Sequence, residues 1–409
     1  MKSNYTRNHY VPVWYQKRFI QLGSKDSELF LLDLKPGTFT DGRGIVHKRN
    51  ELHRRGPKKC FVEPDLYTTI LNGHRSTEVE EVFFGEIDNA GRNAVDHFAK
   101  FTHTLEGTHD AFPKLMSYMS TQRLRTPKGL GWLRKNSEAN DKTELLLHLQ
   151  FSKNQFSAIW AECVWLIADA TLSPTKFIVS DHPVTTYHRE LRPLAKECVE
   201  FNDPDIRMVG THTIFPLSSE KALILSNLSW VLNPYQASKK VRPNPTYERD
   251  AIFKILDIQC ERHMSEQEVR EINFIIKKRA FRYIAAGAED WLYPERHVEL
   301  GQWNKFTKGY LCMPDPRSVH FGGALLIGYK SGLSDGFDPF GRRPWQRGFS
   351  VDPPRKDAPT FYSFRGEFSR LFGPKRRGRN FEFSSLAPEE DSPESHAANL
   401  RMDKQRRRL

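Results

Sequence analysis

The sequence predicts an α+β fold, a mostly helical mixed domain with a small sheet, followed by an irregular extension and a disordered tail. Three observations carry this. Helical-period apolar stripes alternate with short β-rich runs up to residue 293. After Pro294 they give way to Gly, Pro and aromatic clusters such as "FGGALLIGYKSGLSDGFDPFGRRPW". From Pro374 the text is charged, poor in core residues and broken by prolines, which reads as disorder. The expected boundaries are therefore residues 1–293, 294–373 and 374–409. At 409 residues the chain is long for one core, and with 38% hydrophobic and 12% aromatic residues it can bury a substantial one.

Near the start, residues 8–19 read "NHYVPVWYQKRF". Pro12 biases Val11 toward an extended backbone, so Tyr10, Val11 and Trp14 are expected to anchor the segment while Asn8 and His9 face a pocket. "ELFLLDL" around Leu31 reads as a strand. Residues 43–59 hold seven cations (Arg43, Lys48, Arg49, Arg54, Arg55, Lys58, Lys59) against one acid, Glu51. Such a run is either a solvated loop or a phosphate-contacting surface.

The first long helix is expected over "TEVEEVFFGEIDNAGRNAVDHF", opened by a capping box of Thr77 and Glu80. Its stripe of Val79, Val82, Phe83, Ile87, Ala90 and Ala94 has Glu86 in the middle. A buried carboxylate needs a partner, so Glu86 is expected to be buried and paired with Arg125 or His9. A second helix, "PKLMSYMSTQRLRTP", starts at Pro113 and stops before Pro127, with Gln122 in its apolar stripe and Arg125 flanking it. A third, "KNQFSAIWAECVWLIADA" from Lys153, is apolar nearly all round and reads as the central core helix. Phe177, Ile178 and Val179 make a short strand that ends in Ser180, Asp181, His182 and Pro183, the position where polar groups commonly meet ligands. Asp181 is alternatively an Asx turn. Strands in "HTIFPLSSEKALILSN" follow, and "SEQEVREINFIIKKRAFRYIAA" makes a last helix with a capping box of Ser265 and Glu268. The small sheet is expected to join the Phe177, Ala222 and Leu31 strands. In the extension, "DGFDPFG" reads as a turn, and Trp303, Phe306, Tyr310 and Trp345 as packing against the main domain.

No apolar run is long enough to span a bilayer and no secretory signal opens the chain, so a cytoplasmic protein with no membrane partner is expected. The five cysteines have no zinc spacing and read as reduced thiols. Phosphate-binding loops, dinucleotide fingerprints, H-E-x-x-H and G-x-S-x-G elbows are missing, as are internal repeats. The net charge of +12 points to nucleic acid or another polyanion as partner.

The order "NHYVPVWYQKRF", a helix with Glu86, "LRTP", "FIVSDHPV", "IFPLSSEKALIL" and "EINFIIKKRAFRYIAA" resembles the bacterial domain-of-unknown-function 4238 family over about residues 8–293. The resemblance implies a common fold and the location of a site near the histidine-tyrosine-valine-proline and serine-aspartate-x-proline motifs, and brings no reaction with it. The region after Pro294 has no counterpart in the family pattern.

Two functions fit these residues. One is a nuclease-like hydrolase with His9 as acid or base, Glu86 and Asp181 positioning water or a metal, and Arg125 stabilising negative charge. Asn8, Gln122, Ser180, Arg54, Arg55, Lys58 and Lys59 would then bind substrate. No motif specifies a cofactor; a divalent metal such as magnesium is the candidate the carboxylates leave open. The other is a non-enzymatic nucleic-acid-binding or interaction module in which the buried polar residues are structural and the basic loop makes the contacts.

Overall fold

A computed structural model describes residues 7–21, 27–71, 74–247 and 251–319, most of 323–350, and 358–373. The expected disordered tail, residues 374–409, lies outside the described residues. The fold is an α+β mix, as its sequence predicts, but its sheet content is divided between two larger sheets rather than one small sheet.

The larger sheet runs in the order Thr185–His188, Thr211–Pro216, Lys221–Asn227, Cys163–Asp169, Gln259–His263. Neighbours are antiparallel except the last two, which are parallel. Cys163–Asp169, expected as the second half of a core helix, is thus an inner strand; only Ser157–Ala161 is helical. An apolar run buried on all sides has no polar face to reveal its period, and Val164, Trp165 and Ile167 favour a strand.

The second sheet is antiparallel, in the order Val179–Ser180, Tyr283–Ala286, Leu29–Asp33, Leu52–Arg55. The Phe177 run and the Leu31 strand share this sheet, whereas the Ala222 strand belongs to the other. Tyr283–Ala286 was expected as the end of a helix; that helix stops at Arg279, its start fixed by the Ser265–Glu268 capping box. Leu52–Arg55 forms an edge of the sheet.

Helix Thr108–Arg125 packs against helix Gly85–Ala99. The contact is close, since a Cβ on Gly91 would stand 2.5 Å from the Tyr118 ring. Helix Thr108–Arg125 begins five residues before the expected Pro113, after Gly107 at φ 83°. The extension packs on this body. Trp303 and Phe306 are buried beside Tyr187 and Phe274, and helix Ala358–Phe372 seats Phe361, Phe364 and Phe368 against Trp230 and Val231. Asp338 accepts the amides of Phe340 and Arg342, closing the "DGFDPFG" turn. Trp345 is exposed. None of the five cysteines forms a disulfide. Among the described residues no helix is long and apolar enough to cross a membrane.

Candidate functional site

The first long helix starts in a π-helical turn, Val79–Phe84, before becoming α-helical over Gly85–Ala99. Bonds from i to i+5 widen the turn and shift every later side chain around the axis. The buried stripe is therefore Phe84, Gly91, Val95 and Phe98, with Asp88 on the same line, while of the expected stripe Val79 and Ala94 are buried, Phe83 and Ile87 partly buried and Val82 exposed. Glu86 faces solvent, contrary to expectation. The Thr77–Glu80 box does not form either; Thr77 donates to Glu81 Oε1 at 2.8 Å.

Asp88 takes the role expected of Glu86. Arg125, only 1% exposed, donates Nη2–H to Asp88 Oδ1 at 2.8 Å and Nε–H to Gln122 Oε1 at 2.8 Å. Gln122 Nε2 donates to the Tyr10 carbonyl at 2.8 Å, and the Tyr67 hydroxyl to the Arg125 carbonyl at 2.7 Å. The opening segment is thus tied to both helices through Gln122 and Arg125. Asn8 is buried and accepts the Tyr67 amide at 3.3 Å. Tyr10 and Val11 are buried core residues, and Trp14 is partly buried against them. His9 is half-buried with Nε2 3.1 Å from the Lys58 carbonyl, and burial lowers its pKa. His9 makes no bond to Arg125, Glu86 or Asp181. Glu80 approaches the Arg125–Asp88 pair: burial pushes its carboxyl up to about 7, Arg125 opposing and Asp88 adding to the shift.

Asp181 is fully engaged. Its carboxylate accepts the amides of Phe281 (2.8 Å), Arg282 (2.6 Å) and Tyr283 (2.8 Å), fixing the turn that enters strand Tyr283–Ala286. Burial pushes its pKa up while these three donors pull it down. Ser180, also buried, accepts the His182 amide at 3.2 Å.

Beside Asp181 lies a constellation that sequence reasoning passed over. His182 Nδ1 is 2.7 Å from Thr126 Oγ1 and its Nε2 is 3.3 Å from Asp203 Oδ2. Lys128 donates to Asp203 Oδ1 at 2.6 Å, and Arg123 stands 3.7 Å from Oδ2. Burial drives the His182 pKa down to about 4, so the ring is neutral near pH 7. Burial also pushes Asp203 up, but Lys128, His182 and Arg123 hold it well below the usual carboxylate range. The signal was adjacent in both motifs: Thr126 and Lys128 follow Arg125, and His182 follows Asp181. The connectivity is that of a hydroxyl, a base and an acid. The void there, lined by Arg123, His182 and Asp203, measures about 10 Å³, the size of one water. Thr126 itself caps helix Pro127–Asn136 by accepting the Gly129 amide. Among the described residues no three His, Cys, Asp or Glu side chains are grouped to hold a metal ion.

The cationic run behaves differently. Arg43, Lys48, Arg49, Arg54, Arg55, Lys58 and Lys59 are all exposed. Lys48 pairs with Glu51 at 2.9 Å and Arg54 with Glu28 at 3.8 Å. Arg43, Arg49, Arg55, Lys58 and Lys59 have no ion-pair partner among the described residues. Arg54 and Arg55 lie on the edge strand, and Lys58 and Lys59 in the 3₁₀ turn Pro57–Lys59 that follows it.

Kinship is decided by one comparison. A family model described as protein of unknown function (DUF4238) matches residues 7–290. The chain belongs to that family. The DUF4238 match takes in the opening segment, both sheets and the capped helix Glu266–Arg279, and stops before the extension. No curated protein and no solved structure matches the chain.

Proposed function

We propose that this DUF4238 protein is a non-enzymatic polyanion-binding module whose partner is nucleic acid, held at the exposed cationic edge of the second sheet. The observation that carries the reading is that five of the seven cations in residues 43–59 are exposed and have no ion-pair partner among the described residues. Unpaired surface cations release the counterions of a phosphate backbone at little desolvation cost. The interior supports the same reading by elimination. Asp181 spends its carboxylate on three amides, Arg125 its guanidinium on Asp88 and Gln122, and Glu86 points away from both. The Thr126, His182 and Asp203 set adjoins a void that measures about 10 Å³, the size of one water.

The test is the salt dependence of binding to a nucleic-acid probe. Converting Arg54, Arg55, Lys58 and Lys59 to alanine should weaken binding and lower the slope of log K against log salt by about 0.9 for each phosphate that is no longer neutralised. An unchanged slope would reduce the edge to a solvated face. Cleavage of RNA or DNA by the purified protein, abolished by His182→Ala, would instead favour the hydrolase.

A further inference from the structure

Residues 38–48 form an arm. Strands Thr38–Thr40 and Val46–Lys48 pair antiparallel, outside both main sheets, and every residue in them is exposed. Nothing in the described chain covers either face, although Phe39, Ile45 and Val46 are 47%, 53% and 64% exposed. An isolated two-stranded ribbon is at best marginally stable. Here its tip is held: Asp41 Oδ1 accepts the amides of Arg43 and Ile45 at 2.9 Å, its Oδ2 meets His47 Nε2 at 2.9 Å, and Gly44 supplies φ 80°. Across the strands, Phe39 stacks on His47 with centroids 5.4 Å apart. The ribbon is thus presented in one shape.

Its chemistry commits it to one occupant. Arg43 at the tip and Arg49 at the base have no ion-pair partner among the described residues, while the nearby acids Asp41 and Glu51 are paired with His47 and Lys48. The surface therefore seeks an anion, while Thr38, Phe39, Thr40, Ile45 and Val46 seek apolar contact between the charges. Two strands about 4.8 Å apart with side chains on both faces suit the roughly 12 Å major groove of B-form DNA, which admits a two-stranded ribbon. From Gly37 to the tip, five residues at about 3.3 Å each give a reach near 16 Å, twice the groove depth of about 8.5 Å. Apolar and threonine methyl groups contact thymine methyls, and an arginine pairs with the guanine edge. The A-form RNA major groove is too narrow for such an arm.

We infer that the ribbon of residues 38–48 enters the major groove of double-stranded DNA, with Arg43 at base edges and Arg54, Arg55, Lys58 and Lys59 on flanking phosphates. This rests on the polyanion-binding reading and narrows it to B-form duplex.

The full-length protein is titrated by fluorescence anisotropy against a duplex of about 25 base pairs of DNA, its single strand, the matching RNA duplex and polyglutamate, at several salt concentrations; a site that size spans more than two helical turns. Dimethyl sulfate footprinting reports guanine N7 in the major groove. The expected result is at least tenfold preference for the DNA duplex, N7 protection, and loss of both in a variant carrying Arg43→Ala, Ile45→Ser and Val46→Ser. Salt-dependent binding without duplex preference or N7 protection overturns the ribbon's role and leaves the polyanion reading standing. Absence of salt-dependent binding to every polymer overturns both. Circular dichroism of the variant guards against misfolding, and a second variant, Phe39→Ala alone, should weaken duplex binding with the ribbon tip unaltered.

Discussion

A guanidinium as thoroughly buried as that of Arg125 is held by its partners or not at all. Removing one member of a buried pair leaves an uncompensated charge and costs about 3 kcal/mol or more. Asp88→Asn and Arg125→Ala should each lower stability by that order, measured by urea unfolding, whereas Glu86→Gln should stay within about 0.5 kcal/mol because Glu86 is exposed. Equal effects at positions 86 and 88 would contradict the π-shifted register. Glu80 adds a pH signature. Its pKa is raised by burial from 4.5 to about 7, so the folded state holds its proton more tightly than the unfolded state. Its contribution is fully present below pH 4.5 and lost as pH rises through 7. Glu80→Gln, which does not titrate, should therefore gain melting temperature relative to the parent as pH rises from about 4.5 to about 8. A parallel pair of pH profiles would show that Glu80 is hydrated instead. The need for a carboxylate facing Arg125 was legible in the sequence; which carboxylate was not, because periodicity assumes an uninterrupted α-helix and the π-turn breaks it.

At the scale of elements, local signals were readable where they close locally. The Ser265–Glu268 box forms as expected, and the Lys221–Asn227 strand pairs with Thr211–Pro216. Longer apolar runs were not, since Cys163–Asp169 is buried whichever way it folds. Asp181 was legible as either a site or a local Asx turn, and the amides it accepts come instead from a loop a hundred residues away. That loop supplies a prediction. Asp181→Ala leaves three partly buried donors without their acceptor, each costing up to about 1–3 kcal/mol, and should lower the melting temperature far more than Asp181→Asn, which keeps a carbonyl oxygen to accept from them. Thermal melts of the two variants separate this anchoring role from a surface carboxylate, for which they would match.

Taken whole, the described residues place polar density inside and exposed positive charge outside. The extension takes part in the interior: Trp303 and Phe306 complete one core, and Tyr310, Phe361, Phe364 and Phe368 build another. A chain ending at residue 293 should expose that aromatic surface and lose solubility or cooperative melting; a soluble fragment with the parent melting temperature would show the packing to be dispensable. The cationic run was visible in the sequence, but its separation from the motif residues was not, because side-chain exposure depends on which strand lies at a sheet edge. The most direct test of that separation is hydrogen exchange, read by mass spectrometry with and without bound duplex DNA. Protection is expected over residues 38–59 and none over residues 122–130 or 180–183. Protection centred on Arg125, Thr126 and His182, with residues 38–59 unaffected, would contradict it.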